Sequence, residues 1–145
     1  MKTFNDLAVG AASGSKAAIR ALQAWQLLIS KATNRQSVRY DELAAAMGYS
    51  DSRALSPVLG QITQLCLDQN LPPLTLIVAN QGGAPGAGLT SVARADFDRR
   101  REEVFGYDWF SLVPPDIAEF QATHRRHDGT ARPATSISKV ATCCA

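Results

Sequence analysis

His124 and His127, together with Cys143 and Cys144, are the only side chains whose types and grouping suit a zinc site. The H-x-x-H spacing fits half of such a site, but the two cysteines are adjacent. Neighbouring thiolates do not readily chelate one tetrahedral ion in the manner of a C-x₂₋₄-C pair, so no metal is expected. Cys66, the third cysteine, falls in an apolar helical pattern. No serine or cysteine sits in a recognisable elbow beside a base, which removes the usual basis for nucleophilic catalysis. Asp96, Asp98, Glu102 and Glu103 are interleaved with Arg94, Arg99, Arg100 and Arg101, a pattern that reads as a self-paired exposed helix rather than a metal site. The glycine-rich stretch Gly82-Gly83-Ala84-Pro85-Gly86-Ala87-Gly88 has no G-K-[ST] ending and opens no helix, so it cradles no nucleotide phosphate. The expectation is a protein without chemistry of its own and without a small-molecule cofactor.

What remains is recognition. Between Lys16 and Cys66 six basic residues face three acidic ones, a local excess that suits a phosphate partner. The whole chain carries only +2, a mild bias that permits nucleic acid without demanding it. With 46% hydrophobic and 19% charged residues, 145 residues suffice for one core plus margins. No apolar run approaches the roughly 18 residues of a membrane span, and no apolar run follows Lys2 as in a secretory signal. An odd cysteine count is no disulfide framework. A cytoplasmic protein that engages no membrane is therefore expected.

The elements that would position these residues follow from periodicity. Residues 1–15 read as a flexible lead-in, 16–123 as a winged-helix-like domain and 124–145 as a polar, disordered tail. Ile19, Leu22, Trp25 and Ile29, with Ala18 and Leu28 widening the stripe, predict a first helix, ended by Asn34-Arg35-Gln36. Ser37 to Tyr40 is a short extended piece. Asp41 caps a second helix through Met47, stopped by Gly48. A third runs from about Ser52 to Asn70, with Leu55, Val58, Leu59, Ile62, Leu65 and Cys66 on one face. Leu74 to Asn80 predicts a strand and Gln81 to Gly88 a loop. A charged helix over 96–105, an aromatic cluster at Tyr107, Trp109 and Phe110 that closes the core, and a short helix from Asp116 to about Thr123 complete the domain. The fold class is α+β, mostly helical: a winged helix-turn-helix with a small sheet and extra C-terminal helices.

The stretch Val38-Arg39-Tyr40-Asp41-Glu42-Leu43-Ala44, then Gly48, then Arg53-Ala54-Leu55-Ser56-Pro57-Val58-Leu59-Gly60, resembles the DNA-binding half of alkylguanine-DNA alkyltransferases and alkyltransferase-like proteins. The likeness covers roughly residues 36–90. It implies a shared scaffold and docking mode, in which Arg53 matches the arginine that enters the base stack in place of a flipped nucleotide. The family's Pro-Cys-His-Arg box is missing. Leu74 to Asn80 stands there, without cysteine, histidine or arginine, so methyl transfer is not implied.

Double-stranded DNA is thus the expected partner. Arg39, Tyr40, Ser52, Arg53 and Gln61 are the expected contacts, with Gly83 and Gly86 of the wing. Tyr40 and Glu42 also have ordinary structural roles, in packing and in capping. The third helix offers Gln61, Thr63, Gln64 and Gln69 but no basic residue after Arg53, which counts against tight DNA binding. The alternative is a protein-binding module reusing the same scaffold, such as an immunity or regulatory partner in a bacterial conflict system.

Overall fold

The structure, a computed structural model, describes residues 13–82 and 92–127. It is mostly helical, with one two-stranded sheet. Helix α1 (Ser13–Thr33) is its axis. The inward face keeps Ala18, Trp25, Leu28 and Ile29 of the expected stripe and is otherwise lined by small residues. It is built on Ala18, Ala21, Ala24 and Ala32 around Trp25, Leu28 and Ile29, while Ile19 and Leu22 are only half-buried. Small side chains let neighbouring backbones approach, and α1 accordingly packs against both α3 (Leu55–Asp68) and α5 (Ile117–His127).

Three helices end in one way. After α1, Arg35 takes φ +55°, and the Gln36 N–H reaches back to the Lys31 carbonyl at 2.9 Å. After α2 (Tyr40–Ala46), Gly48 takes φ +79°, and Tyr49 donates to Ala44 at 2.9 Å. After α3, Asn70 takes φ +56°, and Leu71 donates to Cys66 at 2.8 Å. Each is a left-handed residue that turns the chain while satisfying an orphan carbonyl.

Strand β1 (Val38–Arg39) pairs in parallel with β2 (Val78–Ala79), in the register Val38 to Val78 and Arg39 to Ala79. The expected strand over 74–80 is corrected: Leu74–Ile77 is a 3₁₀ turn, and only two residues extend the ladder. All four turn residues are buried, so the apolar Leu74, Leu76 and Ile77 reflect enclosure on every side rather than a strand face, while the Thr75 hydroxyl meets that of Thr63 at 2.8 Å. A partner strand of two residues gives a longer strand nothing to pair with. Gly83 and Gly86 of the expected wing lie outside the described residues.

Helix α4 (Phe97–Gly106) follows a 3₁₀ turn, Arg94–Asp96. Another short turn, Trp109–Ser111, leads to α5. Trp109 stands edge-on to Trp25 at 5.7 Å and donates its indole N–H to the Val104 carbonyl at 2.8 Å. The aromatic closure of the core differs from expectation in one member. Phe110 is 65% exposed, and Phe120 of α5, at 0%, takes its place against Trp25. The ordered domain also passes the expected boundary. Residues 124–127 continue α5, and Arg126 bridges to Asp68 of α3 at 2.7 Å. Likewise α1 begins at Ser13, inside the expected lead-in; Cys143 and Cys144 lie outside the described residues.

Candidate nucleic-acid interface

Helix α2, the turn 47–51 and α3 follow one another as two helical arms joined by a short turn. Arg39, not Asp41, occupies the cap position of α2. Its N–H is taken by the Glu42 carboxylate at 3.2 Å, while Asp41 accepts from the Glu42 N–H within the first turn. Glu42 thus fills the capping role foreseen for it, and two acidic residues sit where the helix dipole favours them. Tyr40 opens α2 half-buried, and that burial raises its phenol pKa. The turn is tied to α1 by Arg20, which donates to the Met47 carbonyl at 3.2 Å and lies 5.2 Å over the Tyr49 ring.

The second arm begins with a 3₁₀ turn, Ser52–Ala54, and becomes α-helical at Leu55. Asp51 caps it, accepting from the Arg53 N–H at 2.8 Å. The same carboxylate holds the Arg53 guanidinium, with Nε at 2.7 Å. These contacts lower the Asp51 pKa, first through the side-chain hydrogen bond from Arg53, and raise that of Arg53. The Arg53 side chain is nonetheless 91% exposed. Arg39 is clasped in the same fashion by Asp41, through two contacts of 3.1 Å. Arg35 turns away to Glu102 at 2.6 Å and lies over Phe105. Arg35, Arg39 and Arg53 thus each meet a carboxylate, but only Glu102 comes from outside residues 16–66.

The outward face of α3 presents Ser56, Pro57, Gly60 and Leu67. Gln61 does not belong to it. It is 7% exposed, packed with the core face, and its Oε1 has no hydrogen-bond partner among the described residues. The structure thus corrects Gln61 as a displayed base reader; Arg39 and Arg53 are exposed, and Tyr40 and Ser52 are partly exposed. Neither Asp51 as the cap nor Arg20 as the strut was foreseen, although a D-x-R sequence directly after a glycine turn was the available sign of the first.

Cys66 is 1% exposed, and desolvation pushes its thiol up to about 11, with a smaller opposing effect from the Leu74 backbone hydrogen bond. It is a packed side chain rather than a nucleophile. No three His, Cys, Asp or Glu side chains converge among the described residues, and none of the described helices is long and apolar enough to cross a membrane. The chain matches no family model, no curated protein and no solved structure.

Proposed function

We propose that this chain is a non-enzymatic, winged-helix DNA-binding protein that docks through the start of its helix-turn-helix second arm. The observation that carries the proposal is Arg53, held outward at the entrance of α3 directly after the capped turn. That is where recognition helices meet phosphates and base edges. Its clasp by Asp51 is no obstacle. An exposed ion pair in water is weak and screened, and a phosphate offers the same fork-shaped acceptor. The resemblance at residues 38–60 points the same way and places Arg53 at the base stack.

Magnitudes limit the expected binding. Two outward arginines, Arg39 and Arg53, correspond to a salt slope of roughly −2, so affinity should fall about tenfold between about 50 and 200 mM salt. The test is a fluorescence-anisotropy titration with random-sequence duplex at those two salt concentrations. Arg53→Ala should weaken binding roughly tenfold and flatten the slope by about one unit, with Arg100→Ala as the silent control. Asp51→Asn keeps the capping acceptor and removes the charge that competes with phosphate, so affinity should rise about threefold at low salt. If Arg53 enters the stack, a mismatched duplex should partly restore binding to Arg53→Ala. Equal affinities across these variants, or no binding by wild type at about 50 mM salt, would overturn the DNA function in favour of the protein-binding alternative.

A further inference from the structure

At the far end of α3 from Arg53 lies a groove of about 270 Å³. It is lined by Trp25 and Leu65, by Leu71, and by the segment Leu112, Val113 and Pro115. Val113 stands at its lip, 91% exposed, with Ile117 exposed beyond it. The volume falls below the roughly 300–1,000 Å³ of a small-molecule pocket. It suits an anchoring side chain from a larger partner better than a free ligand.

The charges around it follow a rule of their own. Of the eleven described carboxylates, eight are ion-paired with arginine. The three without a cation among the described residues are Asp108, Asp116 and Glu119. Glu119 lines the groove, and Asp108 and Asp116 are the chain neighbours of the lining residues Tyr107 and Pro115. Asp116 and Glu119 take each other's backbone N–H at 2.8 Å, a capping box at the start of α5 with no cation beside either carboxylate among the described residues. No lysine or arginine lines the groove among the described residues. Among the described residues, the carboxylates without an arginine partner are thus one lining this apolar slot and two next in sequence to its lining residues.

We infer that this groove is a docking site for a basic, apolar-anchored peptide segment of a protein partner. Its leucine or phenylalanine would enter against Trp25, and its lysines or arginines would meet Asp108, Asp116 and Glu119. The site is independent of the proposed DNA surface. Arg53 and Leu65 are twelve positions apart, about 18 Å along a helix that rises 1.5 Å per residue.

The probe is a fluorescent peptide of alternating lysine with leucine and phenylalanine, titrated against the full chain by anisotropy. Quenching of Trp25 serves as a second readout. Saturable binding is expected, lost about tenfold or more in Val113→Asp and about fivefold in the pair Asp108→Asn with Glu119→Gln, whose amide still accepts the Asp116 N–H. Thermal midpoints of the variants establish that they fold. A peptide with glutamate for lysine, or serine for leucine and phenylalanine, should not bind. Binding unchanged by Val113→Asp and by the charge pair, equal binding of the acidic peptide, or no saturation below about 1 mM would each overturn the docking site, whatever the DNA titration shows.

Discussion

Cys66 shows how far a single residue's chemistry is set by its surroundings. A thiol in water ionises near pH 8.5; this one is held neutral up to about 11, chiefly because burial penalises the thiolate. The unfolded chain therefore releases its proton before the folded one does. The folded state has its full stability below the ordinary thiol value and loses it as pH rises towards about 11. The gap between about 8.5 and about 11 corresponds to roughly 3 kcal/mol at the alkaline end. Urea unfolding at about pH 8 and pH 10.5 should show a drop of this order in the wild type. Cys66→Ala, less stable at pH 8 through the small cavity it leaves, should show a distinctly smaller one. A parallel decline in both proteins would assign the loss to other groups, Tyr40 first among them. Residue-level reading of the sequence succeeded where side-chain chemistry alone decides, as in the self-paired arginines and carboxylates of α4. It missed Gln61, because a polar residue beside an apolar face carries no sign of which way the helix is rolled.

At the scale of elements, α3 was the most legible. Its six expected apolar positions are the six apolar positions buried, because a face with 3.6-residue period leaves only one way for the helix to lie on the core. The 74–80 segment was not legible, since four consecutive buried residues have no period at all. Two glycines, one ending α2 and one within α3, make contrasting predictions. At Gly48 an added Cβ would meet nothing within 4 Å, yet φ is +79°, so the cost of alanine is purely one of backbone conformation. Gly48→Ala should destabilise by about 1–2 kcal/mol. Gly60 also has open space around a Cβ but lies within the α-helix on its exposed side. Gly60→Ala should stabilise by about 0.5–1 kcal/mol by raising helix propensity. Denaturant midpoints of the two variants should move in opposite directions. Movement in the same direction would mean that the turn at Gly48 relaxes, or that α3 is already strained.

At the scale of the whole molecule the decisive element is α5, which the sequence suggests only as a short terminal helix. Its polar C-terminal half resembles a tail because its inward face is narrow, carried by Phe120 and Thr123. Once α1 presents an alanine face, that stripe is enough for close contact, and Trp25 becomes the hub where α1, the Trp109 turn and α5 meet. The sequence places Phe110 rather than Phe120 in this hub, and the two phenylalanines test the arrangement directly. Phe120→Ala removes a fully buried ring standing edge-on to Trp25 at 6.3 Å and should cost about 3–5 kcal/mol. Domains of this kind hold about 5–15 kcal/mol in all, so the loss should lower the thermal midpoint by about 10 °C or more. Phe110→Ala, on a side chain 65% exposed, should stay within about 0.5 kcal/mol of wild type. Because α5 bears on both α1 and α3, the Phe120→Ala transition should remain a single cooperative one by circular dichroism and by tryptophan fluorescence. Two separated transitions, or a Phe110 variant more damaged than the Phe120 variant, would show that α5 is an appendage to a smaller core rather than one of its walls.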